Sequence, residues 1–301
     1  MKSLNLKHSV IFFNLCILLS PIYQQLNYTL IIFCLFLILI VGVSHGALDN
    51  LKGEKLFRLL GLNFNFLFYS SYIFISLLIV FAWLQFPNII LFIFLIVASY
   101  HFGKEDTVFK VKKKKILNEI LFFLKGSSVI IAPLLFQRDS TNEIFATLNF
   151  YVFESSFFND FTLIIFLLLS FLSGIYLSNA KSINLKYIMV LDYFSIIILN
   201  LFLTPILAFT IYFCFLHSVR HSFSLIKEID RSFKKGIKKF IIKALPLTLI
   251  TGLIFLISIY FLNNLYKIDE AIYKVIFIGL ASLTFPHILL EYLLEKNEKR
   301  T

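Results

Sequence analysis

Six histidines, His8, His45, His101, His217, His221 and His287, stand in a chain otherwise dominated by apolar residues. Imidazole is the commonest metal-ligating side chain. His217 and His221 are four residues apart, so on a helix both rings project from one face and can bind one ion. Carboxylates recur at the same spacing: Asp49 follows His45 by four, Glu105 follows His101 by four with Asp106 next, and Glu291 follows His287 by four. A ligating histidine usually gives its other N–H to a carboxylate or carbonyl. Asp49, Glu105, Asp106, Asp192 and Glu291 are therefore expected near a metal site as partners of its ligands. An all-imidazole set suits Fe, Zn, Cu or Ni, and no HExxH run marks a zinc hydrolase. Cys16, Cys34 and Cys214 lie in apolar runs without a CxxC pair and read as small buried residues.

The elements that must carry these residues are membrane spans. Of 301 residues, 59% are hydrophobic and only 15% charged, too few charges to cover a water-facing surface. Apolar runs separated by short polar loops predict an all-α, polytopic transmembrane helical bundle of about ten spans, each of roughly 20 residues. The expected spans are 9–23, 28–46, 64–84, 87–103, 116–136, 160–178, 187–203, 206–225, 240–262 and 271–293. Neither a linker nor a repeat interrupts them, so residues 1–301 read as a single integral membrane domain. The N-terminal run lacks a small-x-small cleavage site and reads as a first span rather than a signal peptide.

The formal net charge is +11. Without a basic stripe interleaved with stacking aromatics, it does not point to nucleic acid. It reports orientation instead, because Lys and Arg accumulate in cytoplasmic loops. Placing the N-terminus inside puts Lys2, Lys7, Lys52, Lys55, Arg58, Lys104, Lys110, Lys112 to Lys115, Lys181, Lys186, the basic residues from Arg220 to Lys239, Lys296, Lys299 and Arg300 on the cytoplasmic side, and only Arg138 and Lys267 outside. The expected topology is N-in and C-in, multi-pass in the cell (inner) membrane, with Lys112 to Lys115 against anionic headgroups. Every even span then runs outside to inside. His45, His101, His217, His221 and His287, on spans 2, 4, 8 and 10, all fall near cytoplasmic helix ends, where the partial negative charge of helix C-termini favours a cation. His8 falls in the N-terminal tail. The alternative for His45-Gly46 and for His101-Phe102-Gly103 is an ordinary glycine C-cap.

Four motifs, Gly42-Val43-Ser44-His45-Gly46-Ala47-Leu48-Asp49, Tyr100-His101-Phe102-Gly103-Lys104-Glu105-Asp106, His217-Ser218-Val219-Arg220-His221 and Pro286-His287, resemble the Brp/Blh family of β-carotene 15,15′-dioxygenases over most of the chain. Ser44 stands where that family often has proline. The resemblance implies a non-haem iron oxidoreductase that splits the central double bond of β-carotene with O2 and releases two retinals. It implies Fe(2+) held by His45, His101, His217 and His221, with His287 near the site. It also implies a lipid bilayer as the medium that brings the substrate, and a rhodopsin as consumer of the product. Two other classes compete. A membrane transporter would place its site near the midplane, with repeat symmetry. A non-catalytic retinal-pathway or rhodopsin-assembly protein would keep the fold; Lys125 is the only lysine deep in a span.

Overall fold

The computed structural model describes residues 2–21, 28–61, 65–109, 111, 116–179 and 181–298. Lys110, Lys112 to Lys115, Lys299, Arg300 and the side chains of Lys2 and His45 lie outside the described residues. The chain is all-α and polytopic. Its helices are α1 Lys2–Leu19, α2 Tyr28–Leu37, α3 Asp49–Leu59, α4 Asn65–Gln85, α5 Pro87–Glu105, α6 Ile116–Phe136, α7 Arg138–Thr147, α8 Asp160–Ser178, α9 Ile183–Phe202, α10 Pro205–Ile211, α11 Val219–Ile229, α12 Phe233–Leu262 and α13 Ile268–Glu298. Two stretches of π-helix, Ile38–Gly42 and Tyr212–Ser218, and a 3-10 helix, Val43–Leu48, interrupt the regular geometry.

Among the described residues, nine helices are long and apolar enough to cross a membrane, the first running continuously from Thr29 to Leu59. The remaining expected span, 9–23, falls on α1, whose apolar part Ser3–Leu19 is shorter than the others. The 30 residues of α12 and 31 of α13 extend about 45 Å at 1.5 Å per residue, longer than a hydrocarbon core of about 30 Å. The surplus at the start of α12 carries Lys234, Lys235, Lys238 and Lys239.

The chain divides into two compact units, Met1–Gly42 with Leu95–Phe223, and Val43–Phe94 with Ser224–Thr301. In the first, α1 turns a buried stripe of Asn5, Ser9, Phe12 and Cys16 inward and packs on α9. α6 packs on α8 and α9, and Ser170 Oγ of α8 donates to the Lys125 carbonyl at 2.8 Å. α5 and α6 meet backbone to backbone. A Cβ on Gly103 would lie 1.8 Å from the Phe122 carbonyl oxygen, and one on Gly126 1.9 Å from that of Ser99. Small residues permit such approaches between membrane helices. This crossing fixes the part of α5 that carries His101. Gly103 is thus not a C-cap: α5 continues past it to Glu105.

In the second unit, Ala47, Leu48, Leu225, Ile226, Phe240 and Ala244 form one core, and Leu56, Phe68 and Leu290 form another. Gly53 makes room for the Phe68 ring. The outer faces of α4 and α12 leave Phe66, Phe74, Leu84, Leu249, Leu253 and Leu256 exposed. Apolar faces of that extent suit lipid and not water.

Candidate metal centre

In the first unit, the last turn of α5 and the segment from the π-helix into α11 supply the chemistry. His101 and His217 are both buried, with ring centroids 5.2 Å apart and planes inclined at 68°. Phe213 stacks on the His217 ring at 5.8 Å and Phe102 meets it edge-on at 4.9 Å, so the imidazole has a fixed plane. His217 Nδ1 lies 3.0 Å from Asp106 Oδ1, and the Tyr212 hydroxyl donates to Asp106 Oδ2 at 2.6 Å. His221 Nδ1 lies 3.3 Å from Glu105 Oε2. Burial by itself raises the Asp106 pKa, but His217, Lys125 and Arg220 outweigh it and hold the carboxyl well below the usual carboxylate range. Asp106 is therefore an anion that accepts from both neighbours.

Each imidazole that donates through Nδ1 to a carboxylate is locked in the tautomer whose lone pair sits on Nε2. This is the arrangement in which histidines ligate metals, and imidazole donors as a class suit a borderline ion such as iron.

Both acidic residues at the end of α5 reach the histidines of the π-helix and α11, Asp106 reaching His217 and Glu105 reaching His221. Asp192, expected near the site, is engaged by the residue that precedes His221. It forms a two-point ion pair with Arg220, Nη1–Oδ2 at 2.6 Å and Nη2–Oδ1 at 3.0 Å. Arg220 Nη2 also donates to Ser9 Oγ at 2.9 Å. His8 is not in a free tail: it lies on α1, and its Nε2 donates to the Phe215 carbonyl at 2.8 Å. Lys125 donates to Gly103 O at 3.2 Å and Thr107 Oγ1 at 3.1 Å, pinning the end of α5. A cavity of about 30 Å³ beside Asp106, Lys125, Tyr193 and Tyr212 has room for ordered water.

In the second unit, Asp49 opens α3 and is only 4% exposed, placed where the helix N-terminus favours an anion. It accepts from His287 Nδ1 at 2.8 Å and from the Tyr72 hydroxyl at 2.9 Å. Glu291 Oε1 lies 3.6 Å from His287 Nε2, and Lys52 pairs with Glu291. The backbone of His45 lies in the 3-10 helix, and Pro286 precedes His287 inside α13.

Sequence reasoning missed His8, Tyr72, Lys52, Tyr212 and the role of Arg220. For Arg220 the signal was available, because a charge inside a span demands a partner. For the tyrosines there was none among 14 of them.

The chain matches the family model described as beta-carotene 15,15'-dioxygenase over residues 36–295. It is 29% identical over 277 residues to a protein named beta-carotene 15,15'-dioxygenase from uncultured marine bacterium 66A03, an alignment covering 88% of this chain and 94% of that one. No solved structure matches. The match spans every described candidate ligand and carboxylate partner, and the chain belongs to the beta-carotene 15,15'-dioxygenase family.

Proposed function

We propose that the protein cleaves β-carotene at its central 15,15′ double bond with O2, in a ferrous-iron-dependent reaction giving two molecules of all-trans retinal. The C15=C15′ bond breaks and each carbon receives one oxygen atom, so one β-carotene and one O2 balance two aldehydes with no further reductant. The pairing of Nδ1 with a carboxylate at both His217 and His221, beside the His101 ring, carries this assignment. His101, His217 and His221 would hold the ion, with His45 added from the family motif. Iron, when bound, supplies the O2 chemistry that no side chain provides.

The chain's own residues hold and orient. Asp106 and Glu105 keep the lone pairs of His217 and His221 on Nε2. Phe102 and Phe213 keep water from one ring and fix its plane. Asp49 holds His287 in the same tautomer, a residue of the last family motif. β-Carotene is apolar and partitions into the bilayer, where the exposed faces of the protein lie. With α1 as a tenth crossing, both termini face the cytoplasm of a cell (inner) membrane, and a rhodopsin is the consumer of the product.

Expression in cells that accumulate β-carotene, followed by chromatography for retinal, tests the reading. Retinal is expected from the parent protein and none from His217→Ala. Equal retinal from both would remove His217 from the ligands, and intact β-carotene with folded, iron-loaded parent protein would remove the substrate.

A further inference from the structure

Two adjacent residues of α1 reach the segment that carries His217 and His221. A π-helix bonds each N–H to the carbonyl five residues back, and where it returns to α geometry a carbonyl is left needing an outside donor. Phe215 lies inside the π-helix Tyr212–Ser218, and its carbonyl accepts from His8 Nε2 at 2.8 Å. Because a carbonyl can only accept, His8 carries its proton on Nε2. The His8 ring also meets Phe223 edge-on at 5.5 Å.

The next residue, Ser9, is completely buried, and its Oγ accepts from Arg220 Nη2 at 2.9 Å. Arg220 is held from its other side by Asp192 of α9. One α1 contact therefore lands two residues before His217 and the other one residue before His221. α1 lies outside the residues 36–295 that match the family model, so these contacts are additional to the family's motifs.

We infer that α1 is a built-in brace for the metal-binding segment: His8 stabilises the π-helix that presents His217, and Ser9 with Asp192 fixes the rotation of α11 that presents His221. His8 and Ser9 are positioning residues and touch neither metal nor substrate. The inference rests on the proposed metal site for its consequence, but the brace itself is observable without metal.

The test uses the full chain in lipid nanodiscs, first metal-free and then titrated with Fe(II) against a chromophoric chelator. His8→Ala should speed amide hydrogen exchange in residues 212–221 about five-fold, the ratio worth one ordinary hydrogen bond. His8→Gln keeps an N–H donor at the same reach and should restore slow exchange. Ser9→Ala, which removes a single oxygen, should speed exchange around Arg220. Iron affinity should fall in His8→Ala and recover in His8→Gln. Unchanged exchange in both His8→Ala and Ser9→Ala overturns the brace. So does failure of His8→Gln to restore exchange, since packing rather than the hydrogen bond would then be responsible. Altered exchange with full iron affinity in His217→Ala keeps the brace and removes the ligand assignment, so the two ideas fail separately.

Discussion

Asp106 is the acceptor on which the geometry of His217 depends, and its removal should show in metal affinity before it shows in stability. The carboxylate takes one bond from His217 Nδ1 at 3.0 Å and one from the Tyr212 hydroxyl at 2.6 Å, in a buried position. Loss of an outer partner of a ligating histidine costs about 10–100-fold in metal affinity, or about 1.4–2.8 kcal/mol at 1.4 kcal/mol per decade. One charge-assisted hydrogen bond is worth about 1.5–3 kcal/mol, so the two scales agree. Asp106→Ala frees the His217 ring to rotate and lets its proton move to Nε2, so a loss near 100-fold is expected. Asp106→Asn keeps an oxygen opposite Nδ1 but removes the charge, giving about 10-fold. Tyr212→Phe leaves the Asp106–His217 bond intact and acts on the metal only through Asp106, so it should cost about 3-fold or less, below the loss from removing a direct partner of the ligand. Anaerobic competition for Fe(II) with a chromophoric chelator gives all three affinities. Asp106→Ala binding iron within about two-fold of the parent, while His217→Ala loses it, would refute the reasoning; so would Tyr212→Phe as damaging as Asp106→Ala.

Two further perturbations address the scaffold. Gly103→Ala drives a methyl toward the Phe122 carbonyl, a backbone atom that cannot swing aside, and should destabilise by about 1–3 kcal/mol; Gly252→Ala, in open space on α12, should be neutral or gain up to about 1 kcal/mol, and equal melting temperatures for the two would refute the close crossing. Asp192→Asn leaves the buried Arg220 charge uncompensated and should cost about 3–5 kcal/mol, with Arg220→Lys milder because one of the two bonds survives; chemical denaturation in mixed micelles measures both, and a parental midpoint in Asp192→Asn would make the ion pair inconsequential.

The spans were legible because hydropathy runs need no tertiary information, and the histidine motifs were legible because ligand types are few. The long-range partners of the histidines were not, because a linear reading supplies only i,i+4 neighbours, such as Glu105 for His101 and Asp49 for His45. The observed pairs join residues far apart in sequence: Asp106 to His217, Glu105 to His221, and Asp49 to His287. Within one helix, His287 Nε2 and Glu291 Oε1 approach to 3.6 Å. Asp192 is buried and costly to bury as an ion; the cation that offsets that cost is Arg220, placed between the two histidines of one motif.

The irregular helix explains why the linear reading stopped there. A regular α-helix satisfies its whole backbone internally, which in a bilayer is the default solution. Both π-helices of the first unit depart from it, and both lie at histidine motifs: Ile38–Gly42 leads into the turn containing His45, and Tyr212–Ser218 contains His217. The carbonyls at these departures receive side-chain donors, Ser218 Oγ to Gly42 O at 3.3 Å and His8 Nε2 to Phe215 O at 2.8 Å. Gly42 also yields to the Phe213 ring, whose carbons a Cβ there would approach to 2.5 Å, and Phe213 in turn stacks on His217. Nothing in Tyr212 to Ser218, which holds neither glycine nor proline, announces a π-turn. It persists because a donor from α1 and a small residue at Gly42 meet it, so the local geometry of the His217 segment is specified by residues 176 and 207 positions away in the chain and is visible only once the helices are packed.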